Sequence, residues 1–294
     1  MTLDSYPATP GRMRRGIMFM RLASILVYLF ARCCELAAVV LYRLANVFNG
    51  LLPALFSPAQ LSTRVIRNYQ IAYEKDPLAY DRGEETLDPW EAVIVERYQI
   101  RSGRMLVMGS GWGREALALA RRGLTVVGID TSFLAVAAAQ SRARETGIAA
   151  NFHQASFLDL PYKPQSFDYV LLSSSMYSTI PTRLGRQAWL RGLRRQLKPG
   201  GHAILSFALE LSPRTGIRTA RTSLSVAASK LPGANHAYQP GDEFLAGHFM
   251  HLFQTEDELR TELTEAGSTI HDLNPARGYA VLTFAEAASA SPVA

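Results

Sequence analysis

The sequence has few cysteines, and this shortage bears on its class. Only two of the 294 residues are cysteines, and they are the neighbours Cys33 and Cys34. An adjacent pair among apolar residues does not suggest a disulfide framework or a metal site, and we expect no bound metal. The pair fits structural packing in a reducing cytoplasm, with acylation near a membrane as the alternative.

Acidic residues are also scarce near the N-terminus. The formal net charge is +6, and residues 1–60 hold six arginines against only Asp4 and Glu35. The remaining chain is therefore close to neutral, which argues against a nucleic-acid partner. The hydrophobic content of 48% is ample for a packed core.

An apolar stretch extends from residue 16 to residue 56 and is interrupted by Arg21, Arg32 and Arg43. Their regular spacing is about three helical turns, so the three arginines lie on one face of a helix. This pattern predicts a helix, or a bent pair of helices, that lies in a membrane interface with its arginines at the head groups. We expect Asn49-Gly50 and Pro53 to end it.

Other interpretations of this stretch remain open. A signal peptide is disfavoured because the apolar run is too long, contains arginines and lacks a small-residue cleavage site. A membrane span centred on Arg32 would bury a charge at a cost of about 2.5–3.5 kcal/mol. The helix could instead pack on the rest of the chain or on a protein partner, but so wide an apolar face needs a large receiving surface.

A glycine-rich turn lies between two apolar strands. Residues 104–108 read as a strand, Gly109, Gly111 and Gly113 follow it, and a helix and a second strand then lead to Asp130. Glycines allow a sharp turn and close approach of a ligand to the backbone. In nucleotide-binding folds, an acid at the end of the second strand accepts ribose hydroxyls. The spacing is not the Gly-x-Gly-x-x-Gly of dinucleotide enzymes, so a pyrophosphate is not the expected ligand.

Three later segments extend this pattern: Asp159-Leu-Pro-Tyr162, Ser166-Phe-Asp-Tyr-Val170 and Leu197-Lys-Pro-Gly-Gly201. Together with the glycine turn, they resemble the class I S-adenosylmethionine-dependent methyltransferases, most closely the small-molecule and quinone or lipid type. The resemblance covers roughly residues 65–285. It implies an enzyme that uses S-adenosyl-L-methionine as its cofactor.

The resemblance also implies which residues hold the cofactor. They are Gly109, Ser110, Gly111, Gly113, Asp130, Thr131, Ser156, Phe157 and Ser173. Two positions depart from the family: Val107 and Ser156 stand where acids are usual or frequent. A serine hydroxyl can still accept a hydrogen bond from the adenine amino group. The change at 107 leaves the methionine end of the cofactor less well held.

Methyl transfer from a sulfonium is an in-line displacement, so proximity and orientation supply much of the catalysis. A phenol or enol acceptor would also need a general base, for which histidine is the usual residue at neutral pH. The candidates are His236, His248 and His251, which lie by analogy in the region that shapes the pocket. A structural or surface role is the alternative for each.

The alternation of strands and helices predicts an α/β fold, with a doubly wound, seven-stranded, mostly parallel, Rossmann-like sheet and an N-terminal apolar helical extension. Tyr69 and Tyr73 resemble the aromatic residues of lid helices that close over the cofactor, or else they dock their helix to the core. We divide the chain into a membrane-associating segment (1–56), a connector with lid helices (57–103), a methyltransferase domain (104–285) with a substrate-shaping insertion (210–243), and a disordered tail (286–294).

These features favour methyl transfer to a lipophilic small molecule, quinone-, phospholipid- or isoprenoid-like, by a peripheral or monotopic enzyme at the cytoplasmic face of a membrane. The alternative is a non-catalytic subunit of the same fold that docks to a membrane complex, and the departures at Val107 and Ser156 motivate it. Nucleic-acid methylation is disfavoured by the near-neutral core. It is also disfavoured because Ser173-Ser-Ser-Met176 stands where such enzymes have an Asn-Pro-Pro-Tyr type of motif.

Overall fold

A computed structural model describes residues 10–75, 85–210, 216–245 and 247–285. The chain divides into two compact units, residues 1–48 and 49–294. Helix α1 (Pro10–Leu55) makes up the described part of the first unit and ends in the second. Most of its apolar side chains from Met18 to Phe48 are exposed. The tail that we expect to be disordered (286–294) lies outside the described residues.

Outside residues 210–251, the helices and strands of the second unit follow one another in the predicted order. The helices are α2 (Pro58–Lys75), α3 (Pro89–Arg97), α4 (Arg114–Arg121), α5 (Phe133–Thr146), α6 (Arg183–Gln196), α7 (Gly216–Ala228) and α8 (Glu256–Glu265). The strands are β1 (Arg104–Met108), β2 (Thr125–Asp130), β3 (Ala150–Gln154), β4 (Phe167–Leu172), β5 (Leu197–Ser206), β6 (Asp242–Leu245), β7 (His248–His251), β8 (Ser268–Asn274) and β9 (Tyr279–Phe284). A short 3₁₀ turn, Met176–Thr179, follows β4.

The main sheet has seven strands in the order β3-β2-β1-β4-β5-β9-β8, and β9 runs antiparallel to both of its neighbours. Side chains of β1 alternate between two cores: Leu106 packs with Leu190 of α6 on one face, and Val107 packs with Leu117 of α4 on the other. Helices therefore cover both faces, and the predicted doubly wound, mostly parallel sheet is confirmed. The strand order reverses between β1 and β4, where such folds bind ligands at the carboxyl ends of the strands.

The predicted end of the first helix was wrong, because α1 continues past Asn49-Gly50 and Pro53 to Leu55. Its last carbonyls find partners elsewhere in the second unit, which satisfies groups that a helix end would otherwise leave without a donor. The side-chain amide of Asn235 donates to Pro53 O at 2.8 Å, and the backbone N–H of Asn235 donates to Ala54 O at 2.8 Å. Tertiary contacts thus outweigh the local stop signals.

The predicted insertion contains α7 and leads into a β-hairpin that the sequence did not indicate. Strands β6 and β7 pair antiparallel from Asp242↔His251 to Leu245↔His248. Gly247 has a φ of +83°, which favours glycine at the tight connection. The hairpin escapes sequence analysis because each strand has only four residues, too few for a clear alternation.

Candidate active site

The glycine turn joins the end of β1 to the start of α4. Gly109, Gly111 and Gly113 have φ values of +69°, +51° and +87°, in the left-handed region that disfavours other residues. A side chain would also collide with neighbours, since a Cβ at Gly111 would lie 2.7 Å from the Tyr73 hydroxyl oxygen and one at Gly109 would overlap the Met176 sulfur. The turn therefore requires glycine for both conformation and space.

Asp130 ends β2 beside this turn and is almost fully buried. Its carboxylate accepts hydrogen bonds from the backbone N–H of Gly111 at 3.0 Å and of Ser132 at 2.9 Å. Burial raises the pKa of Asp130, while these hydrogen bonds act against that shift. Each carboxylate oxygen has a second lone pair, so the group can still accept a ligand hydroxyl. The carboxylate thus braces the glycine turn and remains available as an acceptor.

A cavity of about 280 Å³ opens at this edge of the sheet. Its walls combine parts of the glycine turn and of β2 with mostly apolar side chains from four other segments. The lining residues are Tyr69, Tyr73, Gly109, Asp130, Thr131, Ala155, Phe157, Ser174, Met176, Leu245, His248 and Met250. An apolar cavity with a few polar groups is the usual form of a small-molecule site.

Helix α2 supplies the aromatic wall of this cavity. Besides Tyr69 and Tyr73, α2 contributes two side-chain amides that bond to the walls: Asn68 donates to Gly247 O, and Gln70 donates to Thr131 O at 3.3 Å. These bonds fix α2 to both the hairpin connection and the end of β2. The arrangement is consistent with the lid role that the resemblance implies for α2.

The predicted cofactor residues collect at one edge of the sheet but differ in their surroundings. Gly109, Asp130, Thr131 and Phe157 line the cavity. The other five do not line it. Three of these five are serines, and the hydroxyl groups differ in their hydrogen bonds. Ser156 Oγ accepts from Leu158 N at 3.1 Å, Ser173 Oγ donates to Glu115 at 2.8 Å, and Ser110 Oγ is buried without a partner among the described residues.

The structure separates the three candidate histidines. His248 lines the cavity, and its Nδ1 is buried without a hydrogen-bond partner in the described part of the chain. Its ring lies 5.3 Å from that of Tyr69, and burial lowers its pKa, which favours the neutral imidazole.

The other two histidines do not line the cavity. His251 is fully buried, and its two ring nitrogens contact Asp242 at 2.8 Å and Glu258 at 3.3 Å. Burial lowers the pKa of His251, but these two carboxylates outweigh that effect and the pKa is raised. His236 is exposed. Of the three candidates, the geometry leaves His248 as the group that can meet a ligand.

A buried charged cluster, which the sequence pattern did not indicate, lies next to the glycine turn. Arg114, the first residue of α4, bonds to Glu91 at 3.1 Å and to Asp88 at 3.3 Å, and Glu115 lies beside it. Burial, reinforced by the nearby charge of Glu115, raises the pKa of Glu91 to about 7. The one available signal was Asp88-Pro-Trp-Glu91, which forms the capping box of α3. The spacing of these residues in the sequence does not indicate that the segment packs against α4.

Comparisons with known proteins agree with this fold. Residues 105–201 match the family model of a methyltransferase domain. This match begins in β1 and ends in β5, so it contains the glycine turn, Asp130 and the β1/β4 switch point. Over this third of its length the chain is therefore similar to methyltransferase domains.

Two similar proteins illustrate the range of acceptors. Ubiquinone biosynthesis O-methyltransferase of Pseudomonas syringae pv. tomato is 32% identical over 114 residues, which is 38% of this chain and 47% of that protein. Cypemycin N-terminal methyltransferase of a Streptomyces species is 31% identical over 130 residues, or 43% of this chain and 52% of that protein. The chain thus spans about half the length of the curated relatives it matches.

Solved structures give the same fold. The 1,6-didemethyltoxoflavin-N1-methyltransferase of Burkholderia thailandensis, with bound 1,6-didemethyltoxoflavin and S-adenosylhomocysteine, has a TM-score of 0.53 at 16% identity, over 78% of this chain and 89% of that one. An S-adenosylmethionine-dependent methyltransferase from Methanosarcina mazei has a TM-score of 0.51 at 22% identity, over 68% of this chain and 99% of that one.

Proposed function

We propose that this protein transfers a methyl group from S-adenosyl-L-methionine to a lipophilic small molecule at the cytoplasmic face of a membrane. The observation that carries the proposal is the cavity in which the glycine turn, Asp130 and His248 meet apolar side chains. The methyltransferase-domain match over residues 105–201 supports the reaction class. The ubiquinone biosynthesis O-methyltransferases among the similar proteins support a lipophilic acceptor of the quinone, isoprenoid or phospholipid kind.

The residues at the carboxyl edge of the sheet fit this cofactor. Gly109, Gly111 and Gly113 let the backbone approach a ligand, and Asp130 can accept ribose hydroxyls. The buried Ser110 hydroxyl, which has no partner among the described residues, is a further polar group at this turn. The remaining proposed contacts are Thr131, Ser156, Phe157 and Ser173. When bound, the cofactor supplies an electrophilic methyl group on a sulfonium.

His248 is the proposed proton acceptor. His248 would take the proton of an acceptor hydroxyl group, and the bound cofactor would supply the methyl group that the hydroxyl oxygen receives. The low pKa of His248 keeps its imidazole neutral near pH 7, which this role requires. Replacement by glutamine should lower kcat by about 10²–10⁴-fold and remove the acid limb of the pH profile, measured with a methyl-labelled cofactor and membrane lipid extract. His236→Gln, on the surface, should change neither quantity.

Helix α1 is the proposed membrane attachment. Its residues Met18–Leu55 are apolar and long enough to cross a membrane by length and composition. The arginines at 21, 32 and 43 favour a helix that lies in the interface, because a span would carry Arg32 into the hydrocarbon region.

Cofactor binding tests the central proposal. Calorimetric titration of the full chain in detergent with S-adenosylhomocysteine should give binding that Asp130→Ala weakens by about 10–100-fold, since a charged acceptor is lost. The matched control is Asp168→Ala, which removes a carboxylate at the opposite end of the sheet, where Asp168 pairs with Lys198 at 2.8 Å. Equal binding by Asp130→Ala and the wild type would contradict the assigned site.

A non-catalytic subunit docked to a membrane protein complex is the second candidate. Val107 favours it, because β1 presents a buried apolar side chain where related enzymes usually carry an acid. The same titration separates the two proposals. A folded wild-type chain that binds neither S-adenosylmethionine nor S-adenosylhomocysteine would support the scaffold and overturn the enzyme.

A further inference from the structure

The C-terminal end of α1 is built into the second unit by the segment 225–235. Ser225 donates to Gly50 O at 2.9 Å, and the backbone N–H of Asn235 donates to Ala54 O at 2.8 Å. The adjoining ring of Phe56 packs on that of Phe244 in β6, with centroids 6.4 Å apart. The last turn of the apolar helix is therefore joined to both α7 and the β6–β7 hairpin.

These joined segments carry exposed leucines. Leu55 is 44% exposed, Leu224 50%, Leu231 55% and Leu245 40%. We call these four residues the apolar rim. Leu245 also lines the cavity, so the rim includes one residue of the cavity wall. Exposed apolar groups on joined segments, one of which lines a cavity, fit a surface that contacts a partner or a membrane.

Exposed cations accompany the rim. The guanidinium of Arg64 lies 4.1 Å from the centre of the Phe56 ring, and Lys230 directly precedes Leu231. Both side chains are exposed, and neither has an acidic partner within the described ranges. Apolar side chains flanked by basic ones fit a bilayer surface, where the former enter the acyl boundary and the latter meet anionic head groups.

We infer that the apolar rim is a second membrane contact, distinct from the exposed part of α1, and that it docks the cavity opening onto an anionic phospholipid surface. The bilayer is the favoured occupant because the rim continues from the last turn of the apolar helix α1 and has cations beside it. The consequence for acceptor entry rests on the proposed function: a lipophilic acceptor would pass from the bilayer past Leu245 into the cavity without crossing water.

Single fluorescent labels on the full chain test this contact directly. In a Cys33→Ser, Cys34→Ser background, an environment-sensitive label is attached at Leu224→Cys, Leu231→Cys or Leu245→Cys. The control is Leu184→Cys, because Leu184 is 71% exposed on α6, outside the rim segments. Each protein is mixed with vesicles of phosphatidylcholine and phosphatidylglycerol, with and without spin-labelled lipid. Labels at the three rim positions should shift to the blue and be quenched by the spin-labelled lipid, and the label at 184 should do neither.

Two outcomes would overturn the inference, and they differ in what else they affect. Rim labels that behave like the label at 184, on chains that sediment with the vesicles, would refute the rim while leaving attachment through α1 intact. Chains that do not sediment with vesicles at all would refute both the rim and the proposed membrane location. Binding of S-adenosylhomocysteine, measured in detergent on the same proteins, reports separately on the cofactor site.

Discussion

The N-terminal helix and the first strand of the sheet are both apolar, but their side chains have opposite environments. In β1, Leu106 and Met108 are fully buried, whereas in α1 Leu36 and Phe48 are more than 60% exposed. Strand β1 contributes to a core on each of its faces. A long apolar helix with exposed side chains leaves much apolar surface in contact with water. Such a surface is typical of a site that contacts a membrane or another protein.

Charged residues show the same contrast. In α1, Arg32 and Glu35 form a pair at 2.6 Å, with both side chains at least 60% exposed. Beside the glycine turn, Arg114 pairs with Glu91, whose side chain is 1% exposed. An exposed pair contributes little to stability, whereas a buried pair shifts the pKa values of its members and is costly to break. The residue type alone therefore does not predict how much a charged side chain contributes to the stability of this protein.

The largest expected effect comes from removing residues 1–48, which deletes the first unit and keeps the part of α1 that bonds to Ser225 and Asn235. Sedimentation with phospholipid vesicles should fall by at least about tenfold, because most of the apolar surface of α1 is lost. Binding of S-adenosylhomocysteine should stay within about twofold of the full chain, because the unit 49–294 contains the whole cavity. Undiminished sedimentation would show that α1 is not the main attachment.

Replacing one leucine by alanine in β1 and one in α1 tests the difference in burial between these two elements. Leu106→Ala should lower the free energy of unfolding by about 2–5 kcal/mol, because it leaves a cavity in a fully buried site. Leu36→Ala, at an exposed position, should change it by less than about 0.5 kcal/mol. Denaturant unfolding in detergent measures both. A large loss from Leu36→Ala would mean that α1 packs on protein in the native state.

The smallest expected effect is the pH dependence that Glu91 contributes. Its pKa in the folded protein is about 7, above the ordinary value of 4.5, so the fold favours the protonated acid. This stabilisation is fully present below pH 4.5 and is lost as the pH rises through about 7, with a slope of at most ~1.4 kcal/mol per pH unit. The free energy of unfolding, measured from pH 5 to 8, should therefore fall less steeply in Glu91→Gln than in the wild type.

Glu35→Gln is the matched control for that measurement, because it makes the same substitution at a side chain that is 63% exposed. Its curve should run parallel to that of the wild type. Parallel curves for Glu91→Gln as well would show that the cluster around Arg114 ionises normally.

Local sequence was sufficient for the segment from Arg104 to Asp130. Apolar strands, a glycine turn and an amphipathic helix are each specified by neighbouring residues, and the strand predicted over residues 104–108 coincides with β1. The position of Asp130 beside the glycine turn was also predicted, because the carboxyl ends of adjacent parallel strands meet at one edge of the sheet. His248 was among the predicted general bases, but the sequence did not distinguish it from His236 and His251.

Other parts of the site depend on residues far apart in the chain. The hydrogen bond from Asn68 to Gly247 O, which fixes α2 to the hairpin, joins residues 179 positions apart. Periodicity over a window of a few turns contains no information about such a pair. The same limit explains the missed hairpin, the missed cluster of Glu91 with Arg114, and the wrong end of α1.

The sequence by itself determined the order of the seven strands of the main sheet along the chain, the doubly wound sheet, the glycine turn with Asp130, and the presence of a long apolar N-terminal helix, because each follows from short-range periodicity and backbone preference. Only the tertiary structure decided where α1 ends, which histidine reaches the cavity, and that Leu245 lines the cavity. Those outcomes depend on packing and hydrogen bonding between distant segments, whose free energies outweigh the local signals for a helix stop or a loop.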